Sequence, residues 1–580
     1  MQKTKLLSRL WWRPESPVYV TALIAAFLIF ILTAITVWVT FVKGIPGLDS
    51  EYTLQNFIDV FTYPVTPVAA KNTVLLALGT MVVSIFFALP MAWLFHRSNI
   101  PLKKFFITLL FLHTLIPAFI KVIGWIMLLS PDIGIINQFI RLIIPLESGP
   151  LSPYNLIFMI ILQGLTLMPS IFFMIAGAFV AIDPSYEESA EVCGASMLQS
   201  FLRIDLPLVL PALVAGAIYV FMTAISMFEI AALLGASQQI HVFSTLMYTF
   251  VQQAQFELPN YGAAGVYGFM MIVPMLLGLS YYQKMIKVSH RYATVTGKGY
   301  RPKILSLGKW KLVAIIFVLV YFSADLFFPF LAVLWSSFLP FPQLPSLEAL
   351  GAMNLVGYEK AISLMGRGGV VGNTLQLMLF SGILAVVVSL SLSWIVLRTR
   401  LRGRFILDTV SMLPHAIPSI SFAFAVLLVG LLLIKFVPFF YGSIAAIIIA
   451  DAMRRIPFTT RTISGSLIQI HPELEEAVQI SGGSRVTAIT RILIPLITPA
   501  LFYSFVIAAI HAYREVTIAL FLQSPRSMVL STAIWQAWSV GNIGTATAMA
   551  VIMIFVMGII IFSLLKKFPL LLGERRRGQE

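Results

Sequence analysis

The chain has 580 residues, of which 59% are hydrophobic and 11% charged, with a mean hydropathy of +0.93. No number of soluble domains hides that much apolar surface, and a disordered chain needs the reverse balance, so the composition defines an integral membrane protein. Lys and Arg number 39 against 24 Asp and Glu, a net charge of +15, and the single cysteine, Cys193, excludes an internal disulfide or a cysteine-rich metal cluster.

Lys3, Lys5, Arg9 and Arg13 precede a mostly apolar run at 18–42. It is longer than the apolar region of a signal peptide and lacks a small-x-small cleavage site, so it reads as a retained first span. Further runs of bilayer length follow at 72–95, 105–129, 155–181, 207–233 and 262–283, then at 312–338, 373–397, 405–434, 439–453, 495–521 and 545–565. The fold expected is an all-α membrane protein of about twelve transmembrane helices. Pro117 and Pro418 stand at corresponding places in spans three and nine and are expected to bend them. With the amino terminus inside, 30 of the 39 basic residues fall in cytoplasmic segments and seven in outer loops, while Lys121 and Arg514 lie within spans. Basic residues beside spans favour the cytoplasmic side, so both termini are expected inside the cell.

The basic stretch at 291–311, with Gly297, Gly299 and Pro302, divides residues 1–290 from 312–580, each with six spans. The halves repeat one another. Residues 184–213 align without a gap on 472–501, and twelve of the 30 positions coincide, among them Pro184, Glu187, Glu188, Gly194, Arg203 and Pro207. Asn72-Thr73 recurs as Asn373-Thr374, and Ser244-Thr245 as Ser531-Thr532. An even number of spans per half makes both halves enter the membrane in the same sense, so a parallel pseudo-symmetry is expected.

Each copy of the best-matched block follows a span that ends on the inner side. Asp183-Pro184 suits a helix start, since proline at the first helical position lacks only a donor that would be unpaired anyway, and Asp183 accepts from the following amides. Gly194 and Gly482 are placed to end the loop helices in the left-handed conformation, and second short helices are expected to lead to Pro207 and Pro495.

Glu188, Gly194 and Ile204-x-Leu206-Pro207, with Glu476, Gly482 and Ile492-x-Ile494-Pro495, resemble the EAA motif of ATP-binding-cassette (ABC) importer permeases. The departures are Ser189 and Val478 at the two alanines and Ile494 at the leucine. The resemblance implies the MetI-like fold of type I importers in two pseudo-symmetric six-helix halves. Loops 183–207 and 471–495 would then be coupling loops, with Glu187, Glu188, Gly194, Pro207, Glu475, Glu476, Gly482 and Pro495 engaging two copies of an ATPase subunit. It also implies a periplasmic or extracellular substrate-binding protein and a place in a bacterial inner membrane. No G-x-x-x-x-G-K-[S/T] loop occurs, so ATP and Mg would be bound by the partner and this chain would be no enzyme. The two fused units and the segments FEIAALLG and REVTIALFL look most like permeases of the iron(III) uptake family; thiamine, polyamine and phosphonate permeases are the neighbouring alternatives. Nothing in the resemblance involves nucleic acid or a permanently bound metal. An ion-coupled secondary transporter, which would use intramembrane acids without nucleotide, is the reading from another class.

Charged groups within spans are costly and invite a functional reading. Glu229 and Glu515, 286 residues apart, are either paired acids on a cation path or structural acids near the interface. His511, four residues before Glu515, permits a His–carboxylate pair, or packs as a buried neutral ring. Lys121 and Arg514 would favour an anion if they line the path, or they snorkel to the surface. Asp325 and Asp451 read as structural. The orientation is tested with Glu188→Cys and Glu476→Cys, each in a chain with Cys193→Ser: both should react with a membrane-impermeant maleimide only after the cells are opened, and reaction in intact cells would reverse the topology.

Overall fold

The computed structural model describes residues 16–46, 50–114, 116–252, 259–289, 305–366 and 369–567. Residues 291–304 of the expected basic linker lie outside the described residues, as do Lys3, Lys5, Arg9 and Arg13. Among the described residues the structure is helical apart from one short antiparallel pair, Val42–Gly44 with Ser50–Tyr52. Nine helices there are long and apolar enough to cross a bilayer, and twelve if each of three sharply bent pairs counts as one span; the twelve take in Glu229–Gln252 and leave out Ile444–Ile468, the helix at the expected tenth span.

Spans three and nine are more than bent. Lys103–His113 meets Ala118–Leu129 at 99°, and Arg404–Ala416 meets Ser419–Leu432 at 107°. Pro117 and Pro418 sit at the breaks with ψ of 138° and 142°, extended rather than helical. Proline cannot donate to the preceding turn and pushes the residue before it out of the helical region, as Ile417 shows at φ −103° and ψ 127°.

The tenth span differs from its sequence-based limits of 439–453. The helix runs Ile444–Ile468, 25 residues, and carries Asp451, Arg454, Arg455 and Arg461 within it. Hydropathy alone cut it short because Asp451, Arg454 and Arg455 are satisfied inside the protein, while Arg461 is exposed. Spans five and eleven also shift: the helices run Met197–Ser226 and Arg485–Tyr513, starting in the loops and ending before Glu229 and Glu515. The chain then breaks into the bent pair Glu229–Gln238 with Phe243–Gln252, and in the second half into Thr517–Leu522 and Leu530–Ser539.

Three five-residue π segments, Phe201–Asp205, Ser323–Phe327 and Ile489–Leu493, each end two residues before a proline: Pro207, Pro329 and Pro495. A proline ring collides with the carbonyl four residues back, here Arg203, Asp325 and Arg491. Widening the helix by one residue relieves that collision without ending the helix.

Packing divides the chain into two units that are not its consecutive halves. One comprises 58–249, 270–363 and 534–580; the other comprises 1–57, 250–269 and 364–533. In the first unit, span seven (Gly308–Ser337) lies against spans two, three and four of the first half. Phe317 stacks on Phe87 at 5.3 Å, Tyr321 Oη donates to Leu165 O at 3.2 Å, and Trp125 Nε1 donates to Ala324 O at 3.0 Å. A Cβ on Gly124 would collide with the Pro329 backbone, so the two helices meet at bare backbone there. In the second unit, span one (Ser16–Phe41) lies against spans eight and nine, with Tyr19 edge-on to Trp394 at 6.0 Å. Each sequence half thus has its first span seated on helices of the other.

Span seven is pinned by charge. Asp325, fully buried in the π segment, accepts from Lys121 Nζ at 2.8 Å and Thr166 Oγ1 at 3.3 Å, and pairs with His113 beside the break of span three. Asp325 is buried and paired, and Lys121 is buried and paired with it rather than snorkelling. Removing one member of a buried pair strands the other charge. Asp325→Leu should lower stability by about 3 kcal/mol, and adding Lys121→Met should recover part of that loss. Thermal unfolding in detergent reads both; equal losses in the single and double variants would show that the pair is not coupled.

Candidate coupling site

The first loop helix, Pro184–Val192, begins as its sequence prescribes: Asp183 accepts from Ser185 N at 2.9 Å and Pro184 occupies the first turn. It ends on Gly194, at φ +79°. Ala195 N donates to Ala190 O at 2.9 Å and Gly194 N to Glu191 O at 2.9 Å, the double bond pattern of a left-handed helix end. The second copy, Glu473–Ile480, ends on Gly482 at φ +82°, with Gly483 N to Val478 O at 2.8 Å and Gly482 N to Gln479 O at 3.1 Å. It starts one residue later than its counterpart, with Pro472 preceding the helix rather than opening it. Ser196 and Ser484 then cap the short helices Met197–Ser200 and Arg485–Ala488, which pass through the π segments into spans five and eleven.

The two adjacent glutamates of each copy face opposite ways. Glu188 and Glu476 are exposed, as are Gly194, Gly482, Pro207 and Pro495. Glu187 and Glu475 are buried. Arg97, at the end of span two and fully buried, donates through Nε to Glu187 Oε1 at 2.9 Å, and its second terminal nitrogen reaches Oε2 at 2.5 Å. Arg398, at the end of span eight, pairs with Glu475 at 3.0 Å. Both arginines also bond the carbonyl that precedes the loop helix: Arg97 to Ile182 O at 3.4 Å, Arg398 to Ile470 O at 2.6 Å. A tryptophan four residues earlier joins each cluster. Trp394 Nε1 donates to Glu475 at 3.4 Å, whereas Trp93 Nε1 donates to Asp205 at 3.1 Å.

Arg97 and Arg398 are the site residues that the sequence reading missed. They are 301 apart, the same offset as Asn72 and Asn373 in those spans, so the repeat contained the signal; they had counted only as topology charges. Both loops also present a bare apolar residue at their tips, Val192 and Ile480, each 88% exposed and in register by the 288-residue offset.

The expected path residues fall in both packing units, Lys121 and Glu229 in one and His511, Arg514 and Glu515 in the other. Glu515 pairs with Arg455 at 2.8 Å, and its other oxygen accepts from Ile518 N at 3.1 Å; Arg455 also holds Asp451 at 2.6 Å. The helix ends at Tyr513, so His511 and Glu515 do not share a continuous helical face, and Arg514 lies at the break. Glu229 is half-buried and opens the short helix after span five. It is not the counterpart of Glu515. Ser531 Oγ bonds Glu515 O at 2.5 Å and Ser244 Oγ bonds Met227 O at 3.3 Å, so the fold matches Glu515 with Met227.

The membrane-length helices and the twice-used loop define a multi-span membrane protein built from two copies of one unit. The chain belongs to the family of binding-protein-dependent transport system inner membrane components, whose model matches residues 66–287 and 385–568. It is 28% identical over 424 residues to the ferric transport system permease protein FbpB of Actinobacillus pleuropneumoniae, across 72% of this chain and 58% of that protein. It is 23% identical over 526 residues to the Fe(3+)-transport system permease protein FbpB 2 of Haemophilus influenzae, across 90% of this chain and 93% of that protein. The sulfate transport system permease protein CysT of Salmonella typhimurium is 27% identical over 228 residues, 39% of this chain and 79% of that protein.

Open space surrounds the positions where side chains would grow on Gly194 and Gly482, so a substitution there is opposed by backbone conformation alone. Gly194→Val or Gly482→Val should cost roughly 1–3 kcal/mol in the loop. Limited proteolysis of purified protein should then cut the altered loop faster; unchanged cutting would show that the left-handed helix end is dispensable.

Proposed function

We propose that this chain is the permease of an ATP-driven, binding-protein-dependent importer of iron(III), worked from the inner side by two copies of a separate ATPase. The observation that carries the coupling role is the doubled loop: an exposed helix closed by a left-handed glycine and tied through a buried arginine to the end of a span. A load applied to Glu188 or Val192, or to Glu476 or Ile480, passes through Glu187–Arg97 or Glu475–Arg398 into spans two and eight. The π segments and prolines at the mouths of spans five and eleven give the same loops a second attachment to the bundle. Alternating access then needs no nucleotide chemistry in this chain.

Extent of similarity favours iron(III) among the candidate cargoes. The two ferric permeases match 72% and 90% of this chain, whereas the sulfate permease and the spermidine/putrescine permease PotB of Haemophilus influenzae match 39% and 40%. A ferric ion would arrive from a binding protein on the outer face as cargo. Arg455 already holds Glu515 and Asp325 already holds Lys121; the role we assign to those two acid–base contacts is bracing.

The test is reconstitution of the permease with its ATPase and binding protein in proteoliposomes loaded with radioactive iron(III) outside. Uptake should need all three components and ATP and should fall to background with an ATPase unable to hydrolyse nucleotide. Uptake by the permease alone, driven by an ion gradient, would favour the secondary transporter; ATP-driven uptake of a different cargo would overturn iron(III) only.

A further inference from the structure

The helix Ile135–Ile143, between spans three and four, is amphipathic in the reverse sense to a helix that packs on a protein core. Its polar face points inward. Asn137, fully buried, donates to Leu129 O at 2.9 Å, Ser130 O at 3.1 Å and Leu151 O at 2.8 Å, and accepts from Leu151 N at 3.1 Å. Gln138 donates to Ile133 O at 2.8 Å and accepts from Leu344 N at 3.1 Å. The opposite face, three and four residues apart along the helix, carries Phe139, Leu142 and Ile143, exposed at 56%, 72% and 68%.

In water such a helix would turn over, because bare apolar side chains of this size favour burial by about 1.5–3 kcal/mol each. The polar face cannot be released, since Asn137 satisfies carbonyls at the end of span three and in the loop before span four. The outer surroundings of the helix must therefore be apolar. The position fits a lipid surface: the helix follows the end of Ala118–Leu129 closely, and the start of Leu156–Ala181 continues the outward apolar surface with Ile157, exposed at 71%. Arg141 lies on the polar side and is exposed, where its long side chain can carry the guanidinium to a lipid phosphate.

We propose that Ile135–Ile143 is an interfacial helix seated in the headgroup and upper acyl region of one leaflet, with Phe139, Leu142 and Ile143 in lipid and Arg141 at the phosphates. By the distribution of basic residues this is the outer leaflet. The seat fixes the height of the break in span three relative to the bilayer, through the rigid link from Asn137 to Leu129.

The test uses the full-length chain with Cys193→Ser and, in turn, Leu142→Cys, Ile143→Cys or Asp132→Cys, labelled with an environment-sensitive fluorophore. The protein is placed in vesicles of phosphatidylethanolamine and phosphatidylglycerol. Lipids doxylated near the headgroup should quench the labels at 142 and 143, and aqueous iodide should quench them several-fold less than the label at 132. Equal quenching of all three by iodide would overturn the proposal. So would shielding of 142 and 143 that appears only after the binding protein is added, because the face would then be a protein contact. Neither result depends on which cargo is carried.

Discussion

A buried charge needs a partner. Arg97 has no exposed surface, and an ion of that kind left unpaired in a protein interior costs several kcal/mol. Glu187 supplies the opposite charge from a loop helix otherwise turned to solvent, so the loop cannot lift from the end of span two without stranding both ions. The second half repeats the device with Arg398 and Glu475, slightly less buried and with carbonyl bonds to Leu467 and Ile470. What an outside partner does to the loop is thereby done to the span. The glutamate pair has a division of labour that follows from helix geometry: neighbours along the chain are rotated by about 100°, so one can be locked inward while the other is presented outward.

Duplication has not kept the two halves identical. The broken third span is braced from span seven, by Asp325 through Lys121 and His113. The broken ninth span is braced from within its own half, where Arg454 in span ten bonds the carbonyls of Pro414 and of Ile417, the latter at 2.7 Å. Next to it Arg455 gathers Asp451 and Glu515, and the free oxygen of Glu515 caps the short helix Thr517–Leu522. Proline breaks leave backbone carbonyls without helical donors, and in a membrane those must be satisfied by protein. The two halves brace their broken spans with different residues, the first by side-chain ion pairs and the second by arginine bonds to the carbonyls of the break. Spans one and seven, exchanged between the packing units, answer to partners in the other copy and carry no common pattern.

Much of this was legible in the sequence because it rests on local rules. Span number, the left-handed glycines, the aspartate cap and the positions of the proline breaks depend on residue type and spacing. The errors arose where long-range contacts decide. Span ten was shortened because its charges looked like a loop until Pro414, Ile417 and Glu515 supplied their partners. Glu229 was matched with Glu515 because 286 lies close to the repeat offset of 288, and only the serine bonds to Met227 and Glu515 reveal the two-residue difference. Arg97 and Arg398 were visible as a repeated pair yet read solely as topology markers, since their recurrence does not tell that each is buried against a loop glutamate.

The central claim is that force passes through the arginine–glutamate pairs. Substrate-stimulated ATP hydrolysis by the reconstituted complex tests it most directly in three permeases: the parent, Arg398→Glu, and Arg398→Glu with Glu475→Arg. Stimulation should be lost when two like charges face each other and return in large part when the charges are exchanged, with the ATPase bound to the permease in all three. Full stimulation in the single variant, or no recovery in the exchanged one despite a bound ATPase, would contradict the account.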